Sequence, residues 1–173
     1  MKTNIYVLYG GKSVEHEVSL KSALAIMNAL NKDKYNVYPI FITKEGIWCN
    51  LGLLEKEIKG VEELQTTSSS TISNSMGEFL TKGFKDGEKN IVFPALHGIN
   101  GEDGTIQGLL ELLDVPYVGN EVLASAVGMD KEIANDLLAK HGIPQAKYTS
   151  IKLYEWKEDE EKAYEKVEKE IGY

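Results

Sequence analysis

YGGKSVEHEVSL, residues 9–20, sets two glycines at the end of an apolar run, then two carboxylates and an imidazole where a helical pattern begins. The run it closes, NIYVLY at 4–9, is rich in β-branched and aromatic residues, the mark of a buried strand stopped by Gly10-Gly11. Beyond the turn, Leu20, Ala23, Leu24, Met27 and Leu30 recur at the spacing of one helix face, and Asn31 with Asp33 ends the pattern. Strand, glycine turn and helix in that order open an α/β unit. Such a turn usually serves a phosphate, through bare N–H groups and a Lys or Arg. The spacing here fits neither G-x-G-x-x-G nor G-x-x-x-x-G-K-[ST], and Glu15 and Glu17 would repel an anion. Two readings stay open. The acids complement the helix dipole, at roughly 0.3–1 kcal/mol each, or they meet a cation.

Working outward, VYPIFIT at 37–43 reads as a second strand whose Pro39 removes one ladder donor and so belongs near an edge or a strand start. Residues 51–89 alternate charges, pass through TTSSSTISNS at 66–75, and show no sustained periodicity; they read as a solvated excursion. NIVFPALHG at 90–98 is strand then loop, and Asp103 is placed to cap a helix whose Ile106, Leu109, Leu110 and Leu113 share a face. VPYVG at 115–119 is a short strand, and Asn120 and Asp130 each precede a short helix. The second of these closes at HGIP, where Gly142 supplies a left-handed position and Pro144 forbids continuation. AKYTSI at 146–151 reads as a further strand, and 154–171 as one Lys/Glu-rich helix. The sum is an α/β fold: an open, mostly parallel sheet flanked by helices, with ligands expected beyond the carboxyl ends of its strands.

Composition narrows the function classes. With 19 Lys+Arg against 27 Asp+Glu and a net charge of -8, the chain offers no basic face for nucleic acid or an anionic membrane. Cys49 stands alone, which excludes an intrachain disulfide, and the N-terminal apolar run leads into a glycine turn rather than a signal-peptide cleavage site. No apolar stretch approaches the roughly 20 residues a bilayer span needs. The expectation is a cytoplasmic protein that takes a small molecule.

HGINGEDG at 97–104 puts a histidine at the end of a buried strand, followed by two backbone-freeing glycines and adjacent acids. His97 divides between a surface histidine bonded to its own loop and a site residue. If both glycine-rich loops project from one sheet edge, Glu15, His16, His97, Glu102 and Asp103 face one crevice, which suits an ammonium group better than a phosphate. A metal site is a third reading and the least favoured, since the carboxylates beside His97 are also good helix caps.

Three motifs then carry a specific resemblance. HGINGEDGTIQG (97–108), GGKSVEHEVSL (10–20) and PYVGNEVLASAVGMDK (116–131) are similar, in this order, to the N-terminal signatures of the D-alanine:D-alanine ligases. The resemblance implies a Rossmann-like preATP-grasp domain over 1–125 and the beginning of an ATP-grasp central domain over 126–173. It implies ATP- and Mg-dependent joining of two D-alanines through an acyl phosphate, for peptidoglycan and cell shape, in a cytoplasmic homodimer. Glu15 is then the catalytic and substrate-binding residue that holds the ammonium of the first D-alanine. Val18 marks the helix N-terminus facing the carboxyl end, His97 lies beside that site, and Lys131 reaches the nucleotide phosphates; no metal ligand falls in this chain. Because such ligases are roughly twice this length, the resemblance further implies a chain that binds no ATP or Mg and is inactive alone. Ser150 is not the family's catalytic serine, since it lies upstream of where the Gly-Ser-Ser loop would fall. The D-alanine:D-lactate ligases share both loops, and a non-catalytic half-site or dimerisation module is the alternative of another class. A dehydrogenase-type nucleotide domain is weaker, for want of G-x-G-x-x-G.

Overall fold

The computed structural model describes residues 2–85 and 87–172. They form strands β1 (Thr3–Gly10), β2 (Tyr35–Ile42), β3 (Trp48–Asn50) and β4 (Asn90–Pro94). The helices are α1 (His16–Ala29), α2 (Ile72–Lys82), α3 (Thr105–Leu112), α4 (Val122–Met129), α5 (Lys131–Lys140), α6 (Leu153–Glu158) and α7 (Glu160–Ile171). The chain divides into two compact units, Met1–Met129 and Asp130–Tyr173.

In the first unit the sheet order is β3-β2-β1-β4, with β1 parallel to both β2 and β4 and β3 antiparallel to β2. This is the expected open, mostly parallel α/β sheet. Because strand side chains alternate, β1 feeds two cores at once. Ile5, Val7 and Tyr9 pack with Leu20, Ala23 and Met27 of α1, while Tyr6 and Leu8 pack with Phe79 of α2 and Ile106 and Leu110 of α3. Register is pinned by polar pairing at the amino end of β1. Buried Asn4 donates to Asn90 Oδ1 at 3.0 Å and to Glu88 Oε2 at 2.8 Å, and accepts from Asn36 Nδ2 at 2.9 Å. A slip of either neighbouring strand leaves buried amides unpaired.

Three expectations need correction. Pro39 sits in the middle of β2, a strand with neighbours on both sides. Its carbonyl accepts from Leu51 N at 3.0 Å, so the missing N–H would point to the same flank, where β3 has already ended. The 51–89 stretch is not a solvated excursion: Ile58 and Leu64 are buried in the α1-side core, and Tyr9 Oη donates to Leu64 O at 2.8 Å. Burial pushes that Tyr9 hydroxyl well above its ordinary value. The same stretch holds α2, whose Ile72, Met76, Phe79 and Leu80 do follow helical spacing, and Thr71 caps it by accepting from Asn74 N at 3.2 Å. VPYVG forms a single parallel bridge between Val92 and Tyr117 rather than a strand.

In the second unit, Asp130 caps α5 by accepting from Glu132 N and Ile133 N at 3.0 and 3.1 Å, and Gly142 at φ +71° follows the helix end, as expected. AKYTSI is not a strand; Ser150 is held by side chains instead, donating to Glu132 Oε1 at 2.9 Å and accepting on its carbonyl from Lys166 Nζ at 2.9 Å. The Lys/Glu-rich helix is broken into α6 and α7 at Asp159, whose extended backbone ends one helix while its carboxylate caps the next. Among the described residues of this unit, Ala163 is the one buried hydrophobic, and Ile133, Leu137, Leu153, Tyr154 and Tyr164 are exposed. Backbone hydrogen bonds with so little apolar cover open easily. Amides of α5 to α7 should therefore exchange with solvent well ahead of those in α1; equal protection would contradict this.

Candidate active site

The sheet order creates the site. The chain runs from β1 to β2 on one side and returns to place β4 on the other, so the connections part between β1 and β4, and a crevice opens beyond their carboxyl ends. The loop at 11–15 leaves β1 there, and the loop at 95–104 leaves β4 beside it. The two are stitched by Ser19, which is fully buried. Its hydroxyl accepts from Gly10 N at 2.8 Å and donates to Ala95 O at 2.6 Å. Gly10 has φ +89°, and a Cβ there would lie 2.3 Å from Ile42 O. Only glycine lets the chain turn this close to β2.

The acids of the opening stretch separate. Glu15 is exposed and occupies the N-cap of α1 without a side-chain cap bond. Its carboxylate presses against the second loop: a Cβ at Gly98, φ +70°, would be 2.4 Å from Glu15 Oε2 and 2.6 Å from Ser13 Oγ. Ser19 N takes Glu15 O and His16 N takes Ser13 O, but the amides of Glu17 and Val18 donate to no protein acceptor among the described residues. The first turn thus offers two bare N–H groups and the positive end of a helix dipole, one residue and more beyond a free carboxylate. Glu17 points elsewhere: it pairs with Lys44 at 2.8 Å, and that hydrogen bond holds its carboxyl below the ordinary value.

The five residues expected to face one crevice do not all do so. His16 is buried, its Nδ1–H donating to Gly11 O at 2.7 Å and its ring meeting Phe41 edge-on, so it braces the glycine turn. Asp103 closes its own loop, accepting from Asn100 N at 2.9 Å and Thr105 N at 3.0 Å, while Gly104 takes the N-cap position of α3. Burial pushes the Asp103 carboxyl up, but these hydrogen bonds outweigh it and hold the group below its ordinary value. Glu102 accepts from Gly98 N at 2.6 Å. His97 is part-exposed, with Nε2 at 2.8 Å from Ser22 Oγ and Nδ1 at 3.7 Å from Glu102 Oε1. It also lines an open cleft of about 550 Å³ with Ser22, Ile26, Gln107, Asn120 and Met129. Ser19 and Ser22 were missed from the sequence, although two serines interrupting an apolar helix face are a readable signal.

Lys131 belongs to the second unit, exposed at the first position of α5. The first-turn amides of α5 are taken by Asp130, so they form no open phosphate cradle. Among the described residues no group of three or more His, Cys, Asp or Glu is arranged to hold a metal ion. No helix of the described residues is long and apolar enough to cross a membrane.

Fold and site together define an α/β domain with a crevice at the switch point of a mostly parallel sheet. The comparisons make this specific. Residues 4–120 match the family model of the D-ala D-ala ligase N-terminus, and the chain belongs to that family. It is 51% identical to the D-alanine–D-alanine ligase of Geobacillus thermodenitrificans, over 100% of this chain and 49% of that protein. To that of Listeria monocytogenes it is 43% identical over 100% and 49%. Among solved structures, the D-alanine–D-alanine ligase of Coxiella burnetii matches with a TM-score of 0.71 at 32% identity, covering 97% of this chain and 50% of that one. The VanG D-Ala:D-Ser ligase of Enterococcus faecalis matches with a TM-score of 0.69 at 32% identity, covering 100% and 50%. The chain spans about half the length of the curated relatives it matches.

Proposed function

We propose that this chain supplies the first-substrate site of an ATP-dependent D-alanine:D-alanine ligase. The observation that carries the reading is the pairing of the free Glu15 carboxylate with the unbonded amides of Glu17 and Val18 in one helical turn. A zwitterion matches that pair: ammonium to Glu15, carboxyl end to the helix N-terminus. This also answers why acids follow a glycine turn, since the loop cradles an amino acid rather than a phosphate.

ATP supplies activation of the first D-alanine's carboxylate as an acyl phosphate, which the amine of the second attacks to release phosphate and the dipeptide. No step of that transfer is assigned to this chain's residues, and Lys131 is the one we place toward the nucleotide phosphates. What this chain's own residues do is bind and orient. Glu15 keeps the first ammonium from leaving, and the bare amides of α1 aim the carboxyl group outward from the sheet edge. Gly98, lacking a Cβ, admits the Glu15 carboxylate against the second loop. We further read the protein as a cytoplasmic homodimer serving peptidoglycan synthesis.

The test is a titration of isotope-labelled chain followed by amide shifts. D-alanine should move the Glu17 and Val18 amides saturably at concentrations where acetate or ethylammonium alone do not. An equal response to acetate would reduce the site to a helix-end anion contact and overturn the reading.

A further inference from the structure

Ser22 stands in the middle of α1, where a serine hydroxyl ordinarily bonds back to the carbonyl four residues earlier or faces water. Here its Oγ instead lies 2.8 Å from His97 Nε2, across to the loop after β4. The other ring nitrogen, Nδ1, faces Glu102 Oε1 at 3.7 Å. The same carboxylate accepts from Gly98 N at 2.6 Å through its second oxygen. Gly98 in turn lies beside Glu15: a Cβ on it would come within 2.4 Å of Glu15 Oε2. One connected path therefore runs from α1 through His97 and Glu102 to the wall of the Glu15 site.

In a neutral ring, a proton on Nδ1 would face the Glu102 carboxylate and leave Nε2 as an acceptor. The hydroxyl of Ser22 must then be the donor. With Nε2 bonded to Ser22, the ring is held between α1 and Glu102 and serves here as a strut.

We propose that Ser22 is a positioning residue of the first-substrate site: by donating to His97 Nε2 it fixes the ring, and with it Glu102 and the backbone at Gly98 against which Glu15 is seated. The inference rests on the reading of Glu15 as the ammonium partner. It adds a residue remote from the ligand and reassigns His97 from binding to support.

The experiment uses the 173-residue chain, wild type, Ser22→Ala and Ser22→Thr, with two readouts and thermal unfolding as a control. Long-range proton–nitrogen spectra assign the tautomer of His97, identified among the three histidines by its loss in His97→Gln. The wild type should carry the proton on Nδ1. D-alanine titration should show roughly three- to tenfold weaker binding for Ser22→Ala, the scale of one lost hydrogen bond, while Ser22→Thr, which keeps the hydroxyl, binds as wild type and all three unfold at similar temperatures. A wild-type proton on Nε2, or Ser22→Ala binding as tightly as wild type, overturns the role given to Ser22. If the wild type itself gives no D-alanine response, the Glu15 reading falls and the positioning role falls with it, so the two failures are told apart by the wild-type titration.

Discussion

Gly10→Ala should cost the first unit about 2–5 kcal/mol, a large share of the roughly 5–15 kcal/mol by which a domain is ordinarily stable. Two effects add. The left-handed backbone at φ +89° costs a residue with a Cβ roughly 1–2 kcal/mol. The Cβ itself would lie 2.3 Å from Ile42 O, 3.0 Å from Phe41 Cε2 and 3.1 Å from His16 Cε1. The first neighbour is backbone of β2 and cannot swing aside, so the contact is relieved only by moving the strand end, an overpacking cost of roughly 1–3 kcal/mol. Gly52→Ala is the internal control, because Gly52 has φ +84° with nothing within 4 Å of its Cβ position and should show the backbone cost alone. Urea unfolding of both variants checks this. Equal losses would mean that the close approach of the glycine turn to β2 has been misread.

That turn was the most legible part of the sequence. An apolar run, Gly-Gly and a helical apolar face fix β1 and α1 by local rules, and the second strand-loop-helix passage at 90–113 repeats them. What stayed hidden had non-local causes. α2 carries its apolar residues at helical spacing but among Ser, Asn and Gly, whose weak helix propensity masks the pattern until Phe79 packs on Tyr6 and Trp48. Ile58 and Leu64 read as isolated apolar residues in a charged stretch, because the core they enter is built by β1 and α1.

The site divided in the same way. Glu15, His97 and the meeting of the two loops could be read from motif order, and the crevice follows from β1 and β4 being parallel neighbours. Side-chain direction could not. His16 is adjacent to Glu15 in sequence but turns inward to Gly11 O, and Glu17, two residues on, is drawn to Lys44. Spacing put all of these on one helix terminus; only packing decides which faces the crevice.

That separation of Glu15 from Glu17 bears directly on the central claim. Both acids sit in the first turn of α1, and a pure dipole effect would treat them alike. If Glu15 holds the ammonium of the first D-alanine, Glu15→Gln removes one partner of a charge-assisted contact. Where such pairs are buried in a closed complex, the loss runs to roughly 2–5 kcal/mol, which is at least roughly thirtyfold in affinity for the first substrate. Glu17→Gln removes only an exposed pair with Lys44, both side chains being more than half exposed at 63% and 61%. Exposed pairs of this kind contribute little, so kinetics should stay within about twofold. The deciding measurement is the dependence of ligation rate on D-alanine, fitted for two sites, for the two corresponding substitutions in a full-length ligase of the family. A large rise in the first-site constant for Glu15→Gln beside a near-unchanged Glu17→Gln is the predicted result, and equally small effects from both would contradict the account.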